Sequence, residues 1–445
     1  MGQKTVRLTM AQAVARFLTA QKTVVGGETV PIFGGVFAIF GHGNVAGVGE
    51  ALHAVKDELP TYRGQNEQGM ANAAIAYAKA SFRQRFMAVT TSIGPGALNM
   101  VTSAALAHVN RLPVLLLPGD VFANRLPDPV LQQVEDFGDG TLSANDAFKP
   151  VSRYFDRITR PEQIIPALRR AMQVLTDPAE CGPVTLALCQ DVQAEAYDYP
   201  ESFFAEKVWT QRRIMPDADE FAEAAAAIRG ARKPVIIAGG GVLYSQASDV
   251  LSGFAEKFGI PVMETQAGKS SLPHDHPLNM GSVGVTGTSA ANALAQEADV
   301  VLAVGTRLQD FTTGSWALFG NDELRIIGLN VQPFDAAKHN AMPLVADARV
   351  GLSALVQGLT GWQADPEWTR RAHDGKAAWF KDAEAATAAT NALPSDAQVI
   401  GAVQRARPEA TLVCAAGGLP GELHKLWKAG GPGSYHLEYG FSTMG

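Results

Sequence analysis

A single glutamate stands between two unlike stretches in Tyr62-Arg-Gly-Gln-Asn-Glu67-Gln-Gly-Met-Ala-Asn-Ala-Ala-Ile-Ala-Tyr-Ala-Lys-Ala80. A polar cluster precedes it, and a helix-forming run of small residues follows. A carboxylate in a first helical turn is favoured by the helix dipole, which alone is sufficient reason for its presence. Further along, Thr90-Thr-Ser-Ile-Gly94-Pro-Gly96-Ala-Leu-Asn99 follows an apolar run and opens a second small-residue helix, Met100 to Val109. A Gly-Pro-Gly turn there bares backbone amides at the carboxyl edge of a sheet, where α/β proteins bind ligands. A plain strand-to-helix connection would use the same residues, so neither motif decides alone.

The elements that must position these groups are short apolar runs alternating with amphipathic stretches. Phe86-Met-Ala-Val-Thr, Pro113 to Pro118, Pro234 to Ala238 and Val300 to Gly305 fit strands covered on both faces. Met70 to Ala80 and Ser245 to Phe258 fit the helices between them. That alternation predicts α/β domains with doubly wound parallel sheets. Two polar stretches, 191–217 and 361–395, divide the chain, and the second has room for a linking helix. The expected domains are 1–195, 215–360 and 390–445. The last holds a strand (Ala410 to Ala415), a glycine-rich turn and a second strand, so the third domain reads as truncated.

Bulk properties exclude several classes. The 445 residues are 47% hydrophobic and 18% charged, with net charge −7, so there is no basic footprint for nucleic acid. No run approaches the ~20 apolar residues that cross a bilayer, and no signal-peptide core follows Met1. Cys181, Cys189 and Cys414 show neither CxxC spacing nor a partnering histidine cluster. They read as core thiols of a protein in a reducing compartment, the cytoplasm.

Taken together, Asn66-Glu67-Gln68-Gly69 and Thr91-Ser92-Ile93-Gly94-Pro95-Gly96-Ala97-Leu98-Asn99 resemble the pyrimidine-binding domain of the thiamine-diphosphate enzymes. That family includes acetohydroxyacid synthase, glyoxylate carboligase and benzoylformate decarboxylase. The resemblance implies that Glu67 hydrogen-bonds the aminopyrimidine and favours its imino form, whose exocyclic imine removes the thiazolium C2 proton. Gly94, Gly96 and Asn99 are then cofactor-binding positions. Two departures stand out: Asn66 where many relatives carry His, and Ile93 inserted into the turn. The family's central domain is matched in order by Lys233 to Gly241, Phe258 to Val262, Gly268-Lys269 with Asp275-His-Pro277, and Glu297 to Arg307. The triple glycine at Gly239 to Gly241 could suggest a dinucleotide, as in relatives that bind FAD or ADP. It lacks GxGxxG spacing, and no ribose-binding acid follows Gly328-Leu-Asn330, so FAD is not expected and a structural role is.

Gly417-Gly418-Leu-Pro-Gly421-Glu422 and Phe441-Ser442-Thr-Met444-Gly445 resemble the opening of the diphosphate-binding domain. Gly418, Ser442 and Met444 are the implied cofactor contacts, with Met444 the wedge beneath the bent cofactor. The family's Mg2+ ligands, in a Gly-Asp-Gly and a later Asn, are expected beyond Gly445, leaving no metal ligand in this chain. Gly138-Asp139-Gly140 lies in an acidic loop with no strand before it and reads as a turn. Without those ligands the chain as given is expected to be inactive.

The N-terminal Phe40-Gly-His42-Gly43-Asn44, with Gly138 to Pro150, is similar to the trihydroxycyclohexanedione hydrolases of myo-inositol breakdown. The resemblance implies hydrolysis of a C–C bond in a cyclic 1,2-diketone, opening the ring to 5-deoxyglucuronic acid. His42 and Asn44 are candidate substrate contacts, since a polyhydroxylated ring needs matched hydrogen bonds. His42 reads equally as a turn residue bonding its own backbone. The family's shared active sites imply a homodimer or homotetramer. Two other readings stay open: a carboligase or decarboxylase of 2-oxo acids, and a non-catalytic nucleotide-binding scaffold.

Overall fold

The computed structural model describes residues 4–442, in two compact units, 1–212 and 213–445. The first unit is built on a six-stranded parallel sheet with strands in the order 61–63, 33–39, 86–91, 114–120, 183–189 and 154–158. Every residue of Phe86–Thr91, Val114–Asp120 and Pro183–Cys189 is buried, as strands covered on both faces require. Chain order reverses between Phe33–Ile39 and Phe86–Thr91, which makes their carboxyl ends the crevice where such sheets bind ligands. The helix predicted from Met70 begins three residues earlier, at Glu67, because Asn66 caps it.

The polar stretch 191–217 is not irregular. Ala196–Pro200 pairs antiparallel with Thr5–Thr9, and Lys207–Trp209 pairs parallel with Gln21–Val25. These are short edge strands whose partners lie at the chain's start, so no local periodicity marks them. Cys181 and Cys189 are buried and unbridged, and burial pushes both thiols up, away from thiolate reactivity.

The second unit carries another six-stranded parallel sheet, ordered 279–282, 262–264, 234–238, 300–304, 325–330 and 342–345. Its reversal lies between Pro234–Ala238 and Val300–Val304. There the glycines serve close backbone approach: a Cβ on Gly241 would lie 2.6 Å from Gly305 Cα. The Gly239 and Gly241 amides are already donated to Val304 and Gly305 carbonyls. The stretch expected to hold a linking helix contains Pro366–Ala386, capped by Asp365. Beyond it, Leu412–Cys414 pairs parallel with Tyr435–Leu437, and the helix Gly418–Leu426 lies between them in sequence. Among the described residues, no helix is long and apolar enough to cross a membrane.

Candidate functional site

Three loops at the carboxyl edge of the first sheet build the candidate site. The loop after 61–63 delivers Glu67 at the first position of its helix, Glu67–Ala80. Asn66 Oδ1 accepts the Gly69 amide at 2.9 Å, so the residue that departs from the family's His closes the helix start. The small residues that follow let this helix lie close to the helix Val101–Asn110, with Ser103 Oγ donating to Asn72 Oδ1 at 2.8 Å.

The loop after 86–91 turns at Gly94, whose φ of +58° favours glycine, and a Cβ there would lie 1.7 Å from the Gln132 carbonyl. Pro95 then starts the short helix Pro95–Leu98, and Asn99 Nδ2 donates to Glu67 Oε2 at 2.9 Å. Gly96 stands before the other oxygen; a Cβ there would lie 3.2 Å from Glu67 Oε1. Glu67, Gly94, Gly96 and Asn99 therefore come together, with Glu67 half-buried and Oε1 facing bare backbone. Among the described residues, Oε1 has no hydrogen bond.

The loop after 33–39 closes the third side. Asn44 is buried, and its side chain is fully committed: Oδ1 accepts the Gly41 amide, and Nδ2 donates to Thr90 Oγ1 and the Thr91 carbonyl. The expected substrate contact at Asn44 thus falls on a side chain whose hydrogen bonds are made within its own loop and to the strand 86–91. Its amide locks the loop against the neighbouring strand. His42 is exposed at the turn's tip. The inserted Ile93 is wholly buried and fills the space over Gly43 and Gly119, where added Cβ atoms would lie 2.5 and 2.9 Å from its Cγ2.

Two contributors escaped the sequence reading. Gln193 Nε2 donates to the Gly43 and Leu188 carbonyls, pinning the loop from the far side of the sheet's edge. It sits four residues past a strand's carboxyl end, inside a stretch set aside as a divider, and that position was its one signal. Ser92 Oγ is buried against Gly41 and has no partner among the described residues.

Gly138-Asp139-Gly140 is an exposed turn. Asp136 Oδ1 accepts the amides of Gly138 and Asp139, and Asp139 Oδ1 accepts the hydroxyl and amide of Thr141. The Thr141 bonds hold the Asp139 carboxyl below its ordinary range. Among the described residues, no group of three or more His, Cys, Asp or Glu could hold a metal ion.

Gly418 and Ser442 belong to the second unit. Gly417, at φ +136°, turns the chain into the helix Gly418–Leu426, and a Cβ on Gly418 would meet nothing within 4 Å. Ser442 is half-buried, and Met444 lies outside the described residues.

The features needed by an aminopyrimidine-bearing cofactor can be checked against this arrangement. Such a ring needs a carboxyl oxygen free of protein bonds, access past a residue without a side chain, and spare polar capacity nearby. Glu67 Oε1, Gly96 and the orphaned Ser92 hydroxyl meet those needs.

Comparison with known proteins agrees. Residues 35–139 match the thiamine pyrophosphate enzyme N-terminal TPP binding domain, and residues 221–355 match the thiamine pyrophosphate enzyme central domain. A 3D-(3,5/4)-trihydroxycyclohexane-1,2-dione hydrolase of Geobacillus thermodenitrificans is 46% identical over 99% of this chain and 72% of its own length. Proteins of the same name from Bacillus cereus and Bacillus anthracis are also 46% identical, over 99% of this chain and 73% of theirs.

Proposed function

The chain belongs to the thiamine pyrophosphate enzymes, and from that premise we propose that it is a hydrolase of a cyclic 1,2-diketone. The substrate we assign is 3D-(3,5/4)-trihydroxycyclohexane-1,2-dione, opened by water to 5-deoxyglucuronate in inositol catabolism. The observation that carries this reading is the 46% identity over nearly the whole chain to enzymes of that name, and the Asn99 bond to Glu67 beside Gly96 supports it.

When bound, thiamine diphosphate supplies a carbanion that attacks a carbonyl carbon. The chain's residues would do the rest. Glu67 Oε1 would hold the proton shared with the pyrimidine nitrogen, while Asn99 fixes the carboxyl by Oε2. Gly94 and Gly96 would let the ring approach the backbone, and Gly418 would do the same for the diphosphate end. His42, exposed at the turn, is the proposed contact to substrate hydroxyls. Mg2+ would accompany the diphosphate on oxygen ligands. A homo-oligomer and a cytoplasmic location complete the proposal.

Product analysis tests it. With thiamine diphosphate and Mg2+ supplied to the full-length protein, the cyclic dione should be consumed with one water added and 5-deoxyglucuronate released. Turnover of pyruvate or glyoxylate with the dione left untouched would make the protein a carboligase or decarboxylase instead.

A further inference from the structure

The second unit contains a buried polar cluster that the chemistry above does not use. His424, on the helix that starts at Gly418, is only 1% exposed. Its ring Nδ1 lies 2.8 Å from Thr286 Oγ1, its backbone carbonyl accepts the Ser282 hydroxyl, and its Nε2 is buried with no partner among the described residues. Thr286 Oγ1 also accepts from Gln266 Nε2, and Gln266 Oε1 accepts the Tyr435 hydroxyl at 3.3 Å. The Gly433 amide donates to Ser270 Oγ, and the His274 amide donates to the Ala429 carbonyl. A Cβ on Gly421 would come within 3.0 Å of Thr286 Cγ2, so the helix lies against that side chain. Residues 265–288 thus form a seat for 418–437, and His424 is the polar group at its centre.

The surroundings of the seat disfavour a charged ring. Lys269 is buried beside it, its Nζ 5.5 Å from the centre of the Tyr435 ring, with Glu264 the buried acid of the cluster. Burial and then the Lys269 charge drive the His424 pKa well below its ordinary value, against the pull of the Thr265, Glu264 and Thr286 backbone. Burial likewise pushes Lys269 down and Glu264 up, each opposed by the other's charge. Glu422 and Lys425, on the same helix, pair with each other at 2.9 Å.

We propose that His424 is a positioning residue: its neutral imidazole, seated on Thr286 while its backbone carbonyl takes the Ser282 hydroxyl, holds the Gly417–Gly418 turn to the central domain and uncouples it on protonation. The proposal rests on the reading of that turn as a cofactor contact. An imidazolium would put a second positive charge into a buried site that already holds Lys269. The helix then leaves the seat, and the affinity for the diphosphate cofactor falls with it.

Hydrogen–deuterium exchange of the 418–426 segment, normalised for intrinsic rate and read without cofactor, tests the seat directly. In the wild-type protein its opening should rise by up to about tenfold per pH unit below ~6.5. His424→Asn keeps an amide for Thr286 but cannot titrate, so the acid response should shrink to the part left by His274, whose ring lies 3.3 Å from the Ala429 carbonyl and is also held below its ordinary pKa by burial. Thr286→Val should open the segment at every pH. An unchanged acid response in His424→Asn, or none in the wild type, overturns the proposal. Thiamine diphosphate affinity of the full-length protein, measured with Mg2+ by calorimetry over the same pH range, should fall with opening in the wild type and fall less in His424→Asn. Affinity that ignores the opening overturns the positioning role. Wild-type protein that opens as expected yet binds no cofactor at any pH overturns the cofactor reading of the turn, and the positioning role with it.

Discussion

Glu67 makes one hydrogen bond with a side chain, from Asn99, and turns its other oxygen toward a glycine. A group so placed has its geometry set by one oxygen and its chemistry left to the other. Glu67→Gln keeps the size and the Asn99 contact but removes the exchangeable proton. It should lower kcat/KM by about 10²–10⁴-fold, with the melting transition unmoved; near-wild-type turnover would refute the role. His42 and Asn44 sit two residues apart and should fail differently. Asn44→Ala removes the partner of the Gly41 amide and the donor to the Thr91 carbonyl and the Thr90 hydroxyl, which keeps its bond to the Leu117 carbonyl, so it should cost roughly 2–3 kcal/mol in chemical denaturation. His42→Ala, at an exposed tip, should leave stability alone and raise KM by about tenfold, the worth of a single hydrogen bond. The sequence could name both residues but could not rank them, because commitment of an amide to its neighbours appears only when the strand at Thr90 and Thr91 lies alongside.

At the scale of elements, the helix Glu67–Ala80 shows how a motif and a cap are one device. Asn66 is the residue that breaks the family pattern, and in the fold it is the N-cap. Asn66→Ala should cost about 1 kcal/mol in urea denaturation, while Asn66→Asp should be nearly neutral. An equal loss in both would mean that Asn66 does more than cap. Alternation of apolar runs made the two parallel sheets legible, since strands buried on both faces need unbroken apolar residues. The edge strands Ala196–Pro200 and Lys207–Trp209 were not legible. They are half-exposed, short and paired with the chain's first residues, so nothing local distinguishes them from a loop. The same error hid Gln193, which reaches back to the Gly43 carbonyl.

At the scale of the molecule, His108 is held below its ordinary pKa chiefly by burial and then Arg153, His274 by burial, and His424 by burial and then Lys269. Each is neutral in the fold and takes its proton more readily when unfolded. Their contribution is complete above the unfolded pKa of ~6.5 and is lost as pH falls toward the folded values. Two of the three lie in 213–445 and one in 1–212. Acidification from pH 7.5 to 5.5 should therefore destabilise the second unit more than the first, read as exchange protection of the central strands in each. Equal losses would show that these histidines are not the source. By itself, the sequence determined the α/β class and the family, because periodicity and short motifs are carried by neighbouring residues. Only the tertiary structure decided which candidate polar groups were free to act. Asn44 was spent inside its loop, Glu67 Oε1 was left open before Gly96, and His424 was buried beside Lys269. Hydrogen-bond saturation and desolvation depend on residues that meet only after folding.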